Sequence, residues 1–140
     1  MPARPKAPRP LPTKPVPSSP LEEENPQVIA DIIFRDGLFL ISIENISDEP
    51  VKQVSVHWEP GFRGLGGTQN TSELPLFKNI EFLAPHKSIA TMLDSSRAYF
   101  QRGEPVRLTA RVRYQAADRK IHTAVITHDL SIYQDLTYLI

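Results

Sequence analysis

The side chains able to do chemistry in this 140-residue sequence are few and mostly set apart from one another. The four histidines are His57, His86, His122 and His128. His122 and His128 fall on one face if 121–128 is a strand, but six residues at about 3.3 Å each separate them by roughly 20 Å. Nitrogens sharing a zinc ion both sit about 2 Å from it, so these two cannot bind one metal within a protomer. His128 beside Asp129 suggests a dyad, yet adjacent strand residues point to opposite faces; solvated surface histidines are expected instead. The run Gly61-Phe62-Arg63-Gly64-Leu65-Gly66-Gly67 is glycine-rich, but it lacks the lysine and hydroxyl of a phosphate-binding loop, and no helix pattern follows. It reads as a flexible inter-strand loop whose Phe62, Arg63 and Leu65 are of the types that anchor protein partners.

Arg107, Arg111 and Arg113, joined by Arg102, form the one local basic feature. Cross-strand pairing with acids, or plain solvation, would account for them; an anionic ligand or acidic partner surface is the functional alternative. No serine sits in a G-x-S-x-G turn, and Asp48, Glu49, Glu59, Asp94 and Asp118 are scattered at turns, so no nucleophile or carboxylate pair emerges. With no cysteine, thiol catalysis, disulfides and cysteine-ligated metals are excluded. The sequence therefore offers no catalytic residue, metal site or cofactor, and the expectation is a protein that is not an enzyme. Asn45-Ile46-Ser47 and Asn70-Thr71-Ser72 match the glycosylation sequon, which means little without a secretion signal.

The elements that must position these residues are short β-branched and aromatic runs separated by turn signals. The first, 28–35, is followed by Asp36-Gly37, a strong hairpin signal. The second, 38–45, puts Phe39, Ile41 and Ile43 on one face. The third, 51–58, alternates Val54, Val56 and Trp58 with Gln53, Ser55 and His57, and Trp58 is the best candidate for a core anchor. Residues 59–75 are an unusually long loop. Further strands are expected over 76–83, 88–94, 106–114 and 121–128, with one helical turn around 97–100 and a final short run to Ile140. Val106, Leu108, Ala110, Val112 and Tyr114 face inward on the sixth, leaving the arginines outside. Seven strands without a long helix predict an all-β, seven-stranded antiparallel immunoglobulin-like sandwich, with a small barrel as the alternative.

The proline distribution sets the domain boundary. Nine of the 14 prolines lie in the first 26 positions, so residues 1–26 read as a disordered proline-rich tail and 27–140 as the folded domain. About 114 residues bury roughly two-thirds of their unfolded surface, enough for one core. In polyproline II, residues 2–20 would reach on the order of 55 to 60 Å. Arg9, Pro12 and Pro15 fit R-x-x-P-x-x-P, a pattern similar to the ligands of Src-homology-3 domains; a semi-rigid spacer is the plainer reading. No signal peptide or 18-residue apolar run is found, which points to a cytoplasmic protein without membrane insertion. Lys plus Arg and Asp plus Glu balance at 16 each, so no global field recruits nucleic acid.

Gly37-Leu38 through Asn45, a valine-rich strand, Ile80-Glu81-Phe82-Leu83-Ala84-Pro85-His86-Lys87, Val112-Arg113-Tyr114 and Asp129-Leu130 together resemble a recurrent bacterial immunoglobulin-like module of an uncharacterised kind. The resemblance covers most of residues 28–133 and departs from the pattern at His86, where glycine is usual. It implies the sandwich fold and carries over no catalytic residue. Such modules often follow transmembrane helices, a place taken here by the tail. The functional expectation is a non-catalytic interaction or structural module that binds a protein partner through a loop or strand edge. Exposed first or last strands could also build homo-oligomers. The alternative is a small-ligand or carbohydrate-binding domain using the 59–75 loop and Trp58, which requires an exposed indole.

Overall fold

The computed structural model describes residues 25–136. Within them seven strands form two antiparallel sheets. They are β1 (Val28–Arg35), β2 (Leu38–Asn45), β3 (Val51–Glu59), β4 (Ile80–Leu83), β5 (Ser88–Ser95), β6 (Arg107–Gln115) and β7 (Ile121–Asp129). The smaller sheet has the order β1-β2-β5 and the larger β4-β3-β6-β7. Two short helices interrupt the strands, α1 (Pro75–Lys78) and α2 (Ser96–Gln101), with single 3-10 turns at Leu65–Gly67, Thr71–Glu73 and Leu130–Tyr133.

Alternation decides which side chains enter the core. Val28, Ala30 and Ile32 from β1 meet Phe39, Ile41 and Ile43 from β2, and across from them lie Val54, Val56 and Trp58 of β3 and Leu108, Ala110, Val112 and Tyr114 of β6, all in one buried cluster. Each large apolar side chain fully removed from water contributes about 1.5–3 kcal/mol, and with no disulfide this cluster must hold both sheets. Phe39 is its aromatic centre at one end, edge-on to Tyr99 and Phe100 at 5.8 and 5.6 Å. That contact seats α2, whose first turn is capped by Ser95 Oγ accepting from the Ala98 N–H at 3.1 Å.

At two places a β-bulge breaks the alternation. In β3 the register shifts between Lys52 and Ser55, with Gln53 at a φ of 54°. The extra residue lets Val51 and Val54, three apart, both face the core. In β5, Leu40 pairs with Met92 and Phe39 with Asp94, so Leu93 is the residue left over. Leu93 and Asp94 consequently both turn toward the interior, at 0% and 6% exposure.

The expected fourth strand over 76–83 is confined to Ile80–Leu83. Pro75–Lys78 is helical instead, because proline suits a first helical turn and the turn delivers Phe77 edge-on to Trp58 at 5.8 Å. The final run expected to reach Ile140 is a 3-10 turn over Leu130–Tyr133, and residues 137–140 lie outside the described part.

Asn45 links the sheets at the opposite end. Fully buried, its amide donates to the Glu49 and Leu83 carbonyls at 2.7 and 3.1 Å, and its Oδ1 accepts from the Ser47 N–H at 3.0 Å. This sequon asparagine is therefore inaccessible to modification in the folded chain. Asn45→Ala is expected to destabilise the domain by about 2–3 kcal/mol through unsatisfied buried groups, read as a lowered urea midpoint with unchanged m-value.

Candidate functional site

The glycine-rich loop is pinned, not free. Asp94, aimed inward by the β5 bulge, accepts from the Gly66 N–H at 3.0 Å and from Arg102 Nη1 at 2.6 Å. Arg102 also reaches Glu104 Oε2 at 3.3 Å and donates from Nη2 to the Arg63 carbonyl at 3.0 Å, while Glu104 Oε1 accepts from the Arg63 N–H at 3.0 Å. Gly64 has to be glycine, since a Cβ there would lie 2.2 Å from the Leu93 carbonyl oxygen. Most of the amides that an anion would need are thus already committed, two of them to carboxylates.

The loop residues singled out from sequence separate accordingly. Phe62 is 2% exposed and edge-on to Trp58 at 5.4 Å; it is a core residue because the chain turns inward after Pro60, and its ring is not offered to a partner. Arg63 is exposed but folds its Nε back onto the Gly67 carbonyl at 3.0 Å. Leu65 alone of the three presents apolar surface, at 42% exposure. Trp58 is 3% exposed, with no hydrogen-bond partner for Nε1 among the described residues. It therefore provides no surface platform for stacking a sugar.

His57 and His86 are exposed, as expected from sequence, whereas His122 and His128 are engaged with the domain. His122 stacks on Tyr114 at 5.5 Å and meets Asp118 at 3.0 Å. His128 donates from Nε2 to the Ala30 carbonyl at 2.9 Å, crossing from β7 to β1. Both the first and last strands do lie at sheet edges, but this bond ties those two edges to each other. Among the described residues no cluster of three or more His, Asp or Glu could hold a metal ion, and no helix is long and apolar enough to cross a membrane.

Arg102 belongs to the loop network and leaves the arginine stripe. The stripe itself lies on the outer face of the larger sheet, where Ser55, Arg113 and Thr123 form one cross-strand row and His57, Arg111 and Val125 the next. Lys52 and Gln115 extend it at one end, and Arg107 opposite Asp129 closes the other. Hydrogen bonds from Ser131 are the main cause holding the Asp129 carboxyl below its ordinary value, with Arg107 adding a smaller electrostatic part. Arg111 and Arg113 are exposed and make no ion pair among the described residues. Arg9, Pro12 and Pro15 lie outside the described residues.

This is an all-β domain of two antiparallel sheets, with a pinned loop at one end and a basic outer face on its larger sheet. The chain belongs to the family described as Domain of unknown function (DUF8453), whose model matches residues 18–134. No curated protein and no solved structure matches it.

Burial works to raise the Asp94 carboxyl, but hydrogen bonds from Gly66, Arg102 and Ser95 and the Arg102 charge outweigh it and hold the group below its usual range. A depressed native value adds stability that is complete above the unfolded carboxylate value of about 3.9 and is lost as pH falls through the native one. Asp94→Asn should flatten the acid limb of a stability-versus-pH curve relative to the parent chain. Arg102→Met, which leaves that carboxylate unpaired, should lower stability at neutral pH by about 3 kcal/mol in urea titrations.

Proposed function

We propose that the chain is an immunoglobulin-like sandwich acting as a non-catalytic interaction module, whose outer basic face binds an acidic protein surface. The strand orders support the fold reading: seven strands in two sheets, with the third, sixth and seventh together, fit that architecture with the fourth strand beside the third. One observation carries the functional reading. Arg111 and Arg113 stand side by side with Lys52 and His57 nearby on a rigid sheet face, exposed and in no ion pair among the described residues, with Glu59 the acid of the next row. Arginine on a rigid surface is the side chain best suited to paired carboxylates. The side chains deep in the domain are engaged in packing or in the loop network, which favours contact over catalysis. The proline-rich arm would act as the tether, and Leu65 at the loop tip is a secondary contact.

Arg111→Glu/Arg113→Glu changes only outward-facing positions and should leave thermal unfolding within a few degrees of the parent. The same double variant should lose the partner recovered with the parent chain from native cells, and recovery by the parent should fall steeply with salt. Equal recovery by both proteins would rule out the basic face.

A further inference from the structure

The outer face of the smaller sheet has a different chemistry. Val28, Ala30 and Ile32 of β1 are buried, so Ile29, Asp31, Ile33 and Arg35 point away from the core. The register aligns four cross-strand rows on that side: Ile29, Glu44 and Ser88 at one end; Asp31, Ser42 and Ala90; Ile33, Leu40 and Met92; Arg35, Leu38 and Ser95. The Ile33, Leu40 and Met92 row is wholly apolar, and Met92 is 40% exposed. An antiparallel sheet with one solvated face ordinarily alternates apolar with polar residues. β2 does not, carrying Leu38 and Leu40 outward as well as Phe39, Ile41 and Ile43 inward. A contiguous apolar face of this kind marks an interaction surface.

Its charges indicate what covers it. Asp31 and Arg35 flank Ile33 at two residues to either side, with opposite signs. They are about 13 Å apart along the strand, too far to neutralise each other, and neither forms an ion pair among the described residues. A two-fold axis across the strands through the Ile33, Leu40 and Met92 row would lay that row on its own copy. The same rotation brings Asp31 of each chain over Arg35 of the other, giving two equivalent ion pairs around an apolar centre. An isologous interface requires this self-complementarity. A foreign partner would not require the two charges to be placed symmetrically about the row.

We propose that this face is a homodimer interface in which two copies of the chain pack their smaller sheets face to face. Three eight-residue strands offer a contact of roughly 27 by 14 Å, below the area of standard specific interfaces and in the range of weak, transient ones, so the association is weak and concentration-dependent. It leaves both arginine faces outward and pointing in opposite directions, each free to meet its own partner. The proposal does not depend on the function proposed for that face.

Sedimentation velocity on the full chain over a wide concentration series tests it. The parent chain should show a reversible monomer–dimer equilibrium, and Leu40→Lys, an outward-facing change, should be monomeric with unaltered circular dichroism. Asp31→Arg alone should weaken the dimer about tenfold by turning two attractions into two repulsions. Asp31→Arg/Arg35→Asp should restore it. A chain monomeric at every concentration overturns the proposal. So does a dimer indifferent to Leu40→Lys, which would place the contact at a strand edge, and so does failure of the swapped pair to rescue.

Discussion

A carboxylate inside a protein has to be paired, and the loop-bearing end of this domain is arranged around meeting that demand for Asp94. An unpaired buried charge is far more costly than its partner's removal from a surface pair. Arg102 answers it, and because its planar fork has five donors it reaches Glu104 and the Arg63 carbonyl in the same geometry. The loop, β5, α2 and the connection leading to β6 are thereby joined through one guanidinium. A lysine could carry the charge but could not make those contacts together.

The core imposes the complementary constraint. Two sheets that share one interior have two outer faces, and each is free to specialise. The larger sheet uses its outer face for arginine, the smaller for leucine, isoleucine and methionine. Neither choice affects the packing of Trp58, Phe77 or Tyr114 on the inner side, since successive side chains alternate. Surface chemistry and fold are separable here to an unusual degree, and outward substitutions should accordingly report on contacts and inward ones on stability.

Period-two alternation made most of the strands legible in the sequence. β1 and β2 fall where the apolar runs and Asp36-Gly37 place them, and β6 shows its inner and outer residues plainly. What alternation could not show were its own interruptions. Asp94 reads as one of several acids at turns, and alternation alone would set it on the face opposite Leu93; the bulge turns both inward, so the Asp94–Arg102 pair has no signal beyond two charges eight residues apart. Leu76 and Phe77 looked like strand because a helical turn of four residues is too short to have a period. Phe62 looked like a loop anchor for a related reason: composition identifies an aromatic in a glycine-rich loop but not whether the loop folds it under. Among the histidines, His128 was assigned to solvent since nothing local reveals that β1 passes beside β7.

The balance of 16 positive and 16 negative side chains illustrates how a correct global quantity can conceal a local one. Zero net charge means only that no summed field acts at long range. It says nothing about segregation, and the folding of the chain segregates charge strongly. Asp94 and Glu104 are drawn inward to meet Arg102, and Glu73 pairs with Lys78, so several acids are spent on internal partners while Arg111 and Arg113 make no ion pair among the described residues. Screening over about 8–10 Å at physiological salt makes each face respond to its own residues, not to the sum. A chain neutral overall can therefore offer one face to acids and another to its own copy, and the sheet that each strand joins decides which.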